Sequence, residues 1–516
     1  MRVFLLYEDQ DYNFKSHGKY DEEHNENLIK DLGLDVIFEA MAKKDAFIYD
    51  IVKKVLLSYE NDLSTILYRQ DILKDCINNK PIVERIYNLA IDAIEAKKKS
   101  WLGIFSTNVF SLLSSSVSLL RMFLKFLREL RSISDEYYEK FDSIGFKKFF
   151  SAIKEELTEE FFSTAERQLK DLMFENGVFI RARLGQGLEG SDYKLLKPNK
   201  KVLIKKRLSK LTFLKPQSYT FSLHPRDDAG IETLANIRGR SINQVAKILT
   251  NAGDHILEFF AQLRAELAFY MGAMNLYEEL SNLNVPVCFP EPYHLDRRVR
   301  KFIGLYDISL ALITGKNVVG NELNTIGKDL FIITGANRGG KTTFLRSIGQ
   351  AQILMQSGIF VPAIYFSANI NKKIFTHFYR KEDPQLESGK LDEELKRFDR
   401  IVSDIRPNSL LLLNESFSST NEKEGSEIAK QIVEALIENN IEVFYVTHLY
   451  EFAKYFYDQN LDNVHFLRAE RKEDGRRTFK ILEGKPLPTG YAKDLYEGFF
   501  GNQETFVEKY DLSSRV

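Results

Sequence analysis

The eight residues from Gly335 to Thr342 have the types and spacing needed to bind nucleotide phosphates. Their sequence, GANRGGKT, fits the phosphate-loop pattern GxxxxGK[ST]. The apolar run Leu330 to Thr334 before the loop is typical of a strand, and residues 342–357 after it predict a helix. Backbone N–H groups of the loop and the positive end of that helix would then surround the phosphates.

Within this motif, Lys341 is expected to contact the β and γ phosphates, and the Thr342 hydroxyl to ligate Mg²⁺. The pattern therefore predicts a bound nucleotide together with Mg²⁺. The remaining candidate nucleotide-binding residues lie in the same loop and at the start of the helix: Gly335, Asn337, Gly339, Gly340 and Thr343.

Hydrolysis also requires a group that orients the attacking water and a further group near the magnesium ion. The run Ser409 to Leu413 predicts a buried strand, and Asn414 and Glu415 follow it. Ligands of open α/β sheets gather at the carboxyl ends of the strands, so Glu415 is the candidate for activating water and Asn414 for the metal site. An amide brings no negative charge, so weaker magnesium binding or slower turnover would follow. The alternative for Glu415 is an ordinary acidic residue at a strand end.

A third predicted strand, Val443 to Thr447, ends at His448. A histidine there could hydrogen-bond the γ-phosphate or the attacking water, although a purely structural role is the alternative. Asn421 and Glu424 form a plausible capping pair at the start of the next helix. The same helix N-terminus could also receive the phosphate of a neighbouring subunit.

The elements that carry these residues belong to a chain of 516 residues, long enough for roughly three domains. From about Asn27 to Leu283 the pattern is mostly helical, with long periodic runs such as 146–173 and 242–283. Alternating residues from Val178 to Leu184 and from Tyr219 to Leu223 predict a small β-rich insertion. Short, unbroken apolar runs then alternate with helices. The predicted fold is multidomain, α followed by α/β, and its domain boundaries are 1–176, 177–231, 232–290 and 291–516.

The net charge of −1 favours neither a nucleic acid nor an acidic ligand, so any such surface must be local. Residues 193–226 contain ten basic residues and no acidic one. This segment could bind the backbone phosphates of DNA, or it could be a hairpin kept soluble by lysines. The candidate DNA-binding residues are Lys200, Lys201, Lys205, Lys206, Arg207 and Lys210.

Two features bear on the location of the protein. Cys76 and Cys288 are too few and too far apart for a metal clip or a disulfide framework, which suits a reducing compartment. Residues 101–120 carry no charge, but they include six serines, and their helical periodicity continues beyond Arg121. A core helix is therefore expected there, with a membrane span as the alternative. The apolar run at the start of the chain is too short for the hydrophobic part of a secretion signal, so we expect a cytoplasmic protein.

Several motifs, in order, resemble those of the MutS DNA mismatch-repair family. They are Thr334 to Thr342 for its phosphate loop, Phe360 to Ala363 for the continuation, Leu411 to Glu415 for its magnesium strand, Thr420 to Gly425 for its signature helix, and Thr447-His448 for its histidine switch. The resemblance is clear over about 307–498. It is fainter in the helical region, where Arg69-Gln70-Asp71 is similar to the family's core domain and 219–248 to its lever.

This resemblance implies an ATPase domain of the P-loop, ABC/MutS type after helical levers, with the basic insertion as a reduced clamp that contacts DNA backbone. Two ATPase domains would pair head to tail in a homodimer. In that pairing Lys341 binds phosphates, Thr342 ligates magnesium, Glu415 activates water, His448 senses the γ-phosphate, and Asn421 reaches the partner's nucleotide. Nucleotide state would open or close the clamp.

The sequence also departs from the family pattern. It has no room for the mismatch-reading and connector domains, so branched or other non-mismatch DNA is the expected target. Phe417-Ser418-Ser419 replaces a glycine-arginine-glycine run, and Asn414 replaces an aspartate. The expected function is an ATP-dependent, DNA-binding clamp in repair or recombination. The alternative is a slow or non-hydrolysing nucleotide switch on a ribosome, RNA or protein partner.

Overall fold

The structure is a computed structural model, and it describes residues 1–14, 22–101, 109–173, 179–184, 190–196, 227–380, 389–472 and 476–487. These residues divide into two compact units. The first unit is formed by the described residues within 1–4, 81–142 and 146–267, and the second by those within 5–80, 143–145 and 268–516. The four boundaries expected from the sequence stay a prediction.

Helices dominate the described part of the chain. They are α1 (Glu22–Leu32), α2 (Leu34–Ala42), α3 (Ala46–Leu57), α4 (Leu63–Asn78), α5 (Lys80–Trp101), α6 (Val109–Tyr137), α7 (Ile144–Glu156), α8 (Glu159–Asp171), α9 (Asp228–Asn282), α10 (Ile308–Thr314), α11 (Lys341–Gln356), α12 (Lys390–Asp404), α13 (Glu422–Glu438) and α14 (Tyr450–Gln459). The strands are β1 (Phe179–Leu184), β2 (Gly190–Leu196), β3 (Glu291–Tyr293), β4 (Val299–Leu305), β5 (Asn321–Ile326), β6 (Leu330–Thr334), β7 (Tyr365–Asn369), β8 (Ile374–Phe378), β9 (Leu410–Asn414), β10 (Glu442–Val446), β11 (Val464–Arg471) and β12 (Arg477–Glu483).

The first unit is helical, with an aromatic core formed by Phe123, Phe149, Phe150 and Phe260, all fully buried. The periodic run predicted over 146–173 is two helices rather than one. Thr158 ends the continuity, because its side chain accepts a hydrogen bond from the Phe161 N–H at 3.1 Å and so caps the start of α8.

The segment that raised the question of a membrane contributes to this core. Leu113, Leu120, Phe123 and Leu127 of α6 are buried, as the periodicity predicted. Among the described residues, no helix is both long enough and apolar enough to cross a bilayer. Residues 102–108, which belong to the uncharged stretch, lie outside the described ranges.

Part of the predicted β insertion is described. Strands β1 and β2 form an antiparallel pair, in which Phe179 lies opposite Leu196. The run 219–223 is outside the described residues. So are all six candidate DNA-binding residues: Lys200, Lys201, Lys205, Lys206, Arg207 and Lys210.

The second unit is built around a six-stranded sheet of order β12-β11-β6-β10-β9-β8. The neighbouring strands from β11 to β8 are parallel, and β12 pairs antiparallel at the edge. All five residues in each of β6, β9 and β10 are buried, as expected of strands covered by helices on both faces. Strand β6 has the predicted bounds, whereas β9 begins one residue later and β10 one residue earlier than predicted.

The register of this sheet brings three strand ends together. Val446 of β10 lies beside Asn414 on one side and beside Ile333 on the other. The residues after β6, β9 and β10 therefore share one edge of the sheet, and this edge carries the phosphate loop.

A buried polar network ties together the opposite end of the second unit, where β10 begins. Arg300 Nε donates to Glu442 Oε1 at 2.6 Å, and its Nη2 donates to Glu442 Oε2 at 2.8 Å and to Asn371 at 2.9 Å. Burial alone would raise the pKa of Glu442, but Arg300 and Arg298 hold that pKa below its usual value. Arg300 belongs to a second sheet of order β3-β7-β4-β5, so this ion pair joins the two sheets.

The N-terminal helices pack onto the same unit, which the sequence did not predict. The side chain of Gln350, on α11, donates to the carbonyl of Leu32, the last residue of α1, at 2.8 Å. Ser309 donates to the carbonyl of Gly33 at 2.8 Å. The helix that follows the phosphate loop is therefore hydrogen-bonded to the end of α1.

Candidate nucleotide site

The phosphate loop connects β6 to α11 in a conformation that depends on its glycines. Gly335 has a φ of 113° and Gly340, the N-cap of α11, a φ of 92°, values that side chains with a Cβ rarely adopt. A Cβ on Gly339 would lie only 2.8 Å from the carbonyl oxygen of Ala336. The backbone can therefore approach a ligand closely, with the N–H groups at the start of α11 next to it.

Lys341 is almost completely buried beneath this loop. Its Nζ donates to the carbonyl oxygens of Gly335 at 2.8 Å and Ala336 at 3.1 Å. Burial lowers the pKa of Lys341 to about 8, while the nearby Glu415 carboxylate opposes this shift. The ammonium group is thus held by carbonyl dipoles, and an anionic ligand would stabilise its charged form.

Thr342 and Asn414 meet across the edge of the sheet. The Thr342 hydroxyl donates to Asn414 Oδ1 at 3.1 Å. Both side chains offer neutral oxygen atoms, which suit a hard cation such as Mg²⁺. Mg²⁺ usually keeps several waters and takes ligands from phosphates as well as protein, so these residues fit a site in which the nucleotide supplies the negative charge.

Glu415 and His448 form the second pair at this edge, with Glu415 Oε1 and His448 Nε2 3.4 Å apart. The hydrogen bond with His448 keeps the pKa of Glu415 below its usual value, and the positive charge of Lys341 contributes. The carboxylate is therefore ionised and partly open to solvent, as a group that orients water must be.

The position of His448 gives its imidazole two alternative partners. Its Nε2 lies 3.3 Å from Lys341 Nζ as well as 3.4 Å from Glu415 Oε1. One nitrogen cannot accept a hydrogen bond from the lysine and donate to the carboxylate at the same time. A ligand that takes over Lys341 would therefore free His448 to donate to Glu415.

Asn421 lies at the N-terminus of α13. Its Oδ1 accepts a hydrogen bond from the Glu424 N–H at 3.0 Å, which is the predicted cap. The Thr420 hydroxyl donates to the Glu424 carboxylate at 2.6 Å, and this bond lowers the pKa of Glu424. Asn421 is exposed, and it is not among the described residues that line the nucleotide cleft.

A cleft of about 510 Å³ opens over the loop. Asn337, Gly339, Gly340, Lys341, Thr342, Thr343 and Glu415 line it. The cleft also has an apolar wall that the sequence did not predict, which includes Leu310, Val319 and Phe479. Phe479, half exposed and with a φ of 62°, lies over Gly340. Such a wall suits a flat apolar ring such as a nucleobase. No local pattern marks these residues, because they lie outside the loop motif, on α10, before β5 and on β12.

Comparisons with known proteins agree with this arrangement. Residues 61–283 match a family model described as the MutS2 N-terminal domain, and residues 331–489 match one described as MutS domain V. The second match contains the phosphate loop, Asn414, Glu415 and His448.

Three relatives illustrate the extent of the similarity. The human MutS protein homolog 4 is 31% identical over 199 residues, which cover 38% of this chain and 21% of that protein. Endonuclease MutS2 of Carboxydothermus hydrogenoformans is 33% identical over 208 residues, covering 38% of this chain and 25% of that protein. The DNA mismatch repair protein MutS of Bacillus licheniformis is 30% identical over 283 residues, covering 50% and 32%. The matches thus span between a fifth and a third of these relatives' lengths.

Proposed function

This chain belongs to the MutS family, and we propose that it binds and hydrolyses ATP and uses its nucleotide state to control contact with DNA. The observation that carries the proposal is the convergence of Lys341, Thr342, Asn414, Glu415 and His448 on one phosphate loop. The hydrogen-bond and ion-pair distances among them are between 3.1 and 3.4 Å.

In this proposal each side chain has one task. Lys341 neutralises the β and γ phosphates, while Thr342 and Asn414 hold Mg²⁺, which supplies charge stabilisation when bound. Glu415 orients the attacking water, and His448 responds to the γ-phosphate through its choice between Lys341 and Glu415. The apolar wall at Phe479 receives the base.

The proposed contact with DNA is supported by the family and by the basic segment 193–226. Relatives are named DNA mismatch repair protein MutS and endonuclease MutS2. We assign contacts with the DNA backbone to the lysine-rich stretch 200–210. We further propose that two ATPase domains pair head to tail, so that Asn421 of one copy reaches the nucleotide of the other. The exposure of Asn421 supports that assignment.

The test is a binding screen with the full chain over duplex, mismatched, forked and four-way-junction DNA and over RNA, with and without Mg-ATP. We expect ATP-dependent retention on branched DNA and measurable ATP hydrolysis, and loss of both in Lys341→Met. A chain that neither binds Mg-ATP nor responds to it on any substrate would refute the proposal.

A second function, a slow nucleotide switch, is favoured by Asn414, which offers Mg²⁺ a neutral amide oxygen beside Thr342 rather than a carboxylate. Here ATP would lock a dimer on its partner with little turnover. Asn414→Asp separates the two candidates, because a carboxylate beside Thr342 strengthens the hold on Mg²⁺. Native turnover near zero that rises at least tenfold in Asn414→Asp favours the switch. Ready native turnover that this change does not raise favours the enzyme.

A further inference from the structure

The segment between β9 and α13, residues 415–419, has an unusual backbone for its sequence. Glu415 has a φ of 55° and Phe417 a φ of 63°, in the left-handed region that non-glycine residues rarely enter. Such conformations persist only where surrounding contacts impose them. The catalytic candidate Glu415 is itself one of the strained residues, so whatever holds this segment also sets the position of its carboxylate.

The main constraint comes from one buried carboxylate, Glu394 of α12, which is only 6% exposed. Its Oε1 accepts a hydrogen bond from the Phe417 N–H at 2.6 Å, and its Oε2 accepts one from the Ser419 hydroxyl at 2.8 Å. Hydrogen bonds to an ionised acceptor are about twice as strong as neutral ones. Both carboxylate oxygens of Glu394 thus accept a hydrogen bond from the segment that follows Glu415.

Further contacts fix the same segment from the side of β8. The Ser416 hydroxyl donates to the His377 carbonyl at 2.8 Å, and His377 Nδ1 lies 2.7 Å from Ser416 Oγ. The ring of Phe417 packs against His377 and against Phe398, with centroid distances of 5.8 and 5.2 Å. Phe398 lies one turn after Glu394 on α12, so this helix contacts Phe417 through a polar bond and an aromatic ring.

We propose that Glu394 is a positioning residue for ATP hydrolysis. It holds Glu415 and the N-terminus of α13 in the positions they need relative to the nucleotide. This inference rests on the proposed ATPase function. The segment is short, with Glu415 at one end and Asn421 just beyond the other. A change at α12 therefore moves the water-orienting carboxylate and the residue assigned to the second copy together. Glu394 acts through the segment and does not line the cleft.

The decisive variant is Glu394→Gln, which keeps the size of the side chain. A glutamine has one acceptor oxygen, and its amide N–H would face a donor, so one of the two hydrogen bonds is lost and the other loses its charge. We expect kcat for ATP hydrolysis to fall about tenfold while the Kd for Mg-ATP stays within a factor of two. Ser419→Ala removes only the Oε2 bond, and we expect a fall of about threefold.

Glu393→Gln is the matched control. It makes the same chemical change on the same helix, and no hydrogen bond from its side chain to 415–419 is found among the described residues. We expect its kcat to be unchanged. The graded loss of kcat at constant Kd in Glu394→Gln and Ser419→Ala would support the positioning role. The positioning role would be overturned if kcat for Glu394→Gln equalled that of Glu393→Gln. It would also be overturned if Glu394→Gln and Ser419→Ala weakened Mg-ATP binding as much as they lowered kcat.

The same variants separate this inference from the proposed function. If the native chain binds nucleotide but hydrolyses none, the ATPase assignment fails, and the positioning role is then read from amide hydrogen exchange of residues 415–421. Faster exchange there in Glu394→Gln than in Glu393→Gln supports it. Equal exchange overturns it.

Discussion

Nucleotide affinity should depend on pH through Lys341. Burial lowers the pKa of Lys341 to about 8 in the free protein. Phosphates beside Nζ would raise that pKa in the complex, because they favour the charged form. The bound protein therefore holds a proton that the free protein loses above pH 8. Binding takes up that proton, so affinity should fall as the pH rises through 8.

The size of this effect follows from the protonated fraction of free Lys341. With a pKa of about 8, that fraction is about 0.76 at pH 7.5 and about 0.09 at pH 9.0. If only the protonated form binds, the Kd should rise about eightfold over this interval, a loss of about 1.3 kcal/mol. Terminal phosphates have a pKa of about 6, so the nucleotide contributes little change in this range.

The assay is isothermal titration calorimetry with Mg-ATP at constant ionic strength between pH 7.5 and 9.0. Repeating it at pH 8 in two buffers of different ionisation enthalpy measures the proton uptake, which should be about half a proton per nucleotide bound. Lys341→Met should bind more weakly with no such dependence. A native Kd that stays constant across this range, or a Lys341→Met variant with the same slope, would show that Lys341 is not the group whose protonation is linked to binding.

Two further predictions concern stability. Burial lowers the pKa of His377 to about 3, so the unfolded chain binds a proton that the folded chain refuses. The stability this histidine contributes is present above pH 6.5 and is lost as the pH falls towards 3, about 2 kcal/mol of it by pH 5. Urea unfolding at pH 7, 6 and 5 should therefore show a shallower decline for His377→Asn than for the native chain. Arg300→Met removes the nearer guanidinium from the buried Glu442 carboxylate and leaves only Arg298, 3.9 Å away, so the unfolding free energy should fall by about 3–5 kcal/mol. Adding Glu442→Leu should recover part of this loss, and a double variant as unstable as the single one would contradict the assignment.

The parts of the site that could be predicted are those set by local sequence and one rule of sheet geometry. The residue types and spacing from Gly335 to Thr342 identify the phosphate loop, and the continuous apolar run before it identifies β6. Strand ends of a parallel sheet share an edge, so Asn414, Glu415 and His448 could be expected near the loop although they are far away in sequence. The structure places their side chains within hydrogen-bonding reach of Lys341, Thr342 or one another. Their roles stay predictions.

The parts that could not be predicted depend on long-range packing. Phe479 reaches the cleft only because β12 pairs with β11 at the sheet edge. Glu394 lies on a strongly amphipathic surface helix among other acidic residues, and nothing in the sequence distinguishes it from Glu393. The break at Thr158 was different, because a threonine followed by two glutamates is a recognisable helix start that the continuous periodicity concealed.

Burial lowers the pKa of Lys341, and the neutral amide of Asn414 adds no negative charge that would oppose this shift. Among the described residues that line the cleft, Glu415 is the sole carboxylate, against the side chains of Lys341, Arg338 and Lys316. An aspartate at position 414 would add a negative charge next to Thr342, favour the ammonium form of Lys341 and raise its pKa. Asn414→Asp should therefore move the decline in nucleotide affinity to higher pH, whether or not it changes turnover. This shift in the pH dependence reports the effect of residue 414 on the charge of Lys341, whereas the turnover rate reports its effect on the bound metal. The two measurements therefore separate the two effects.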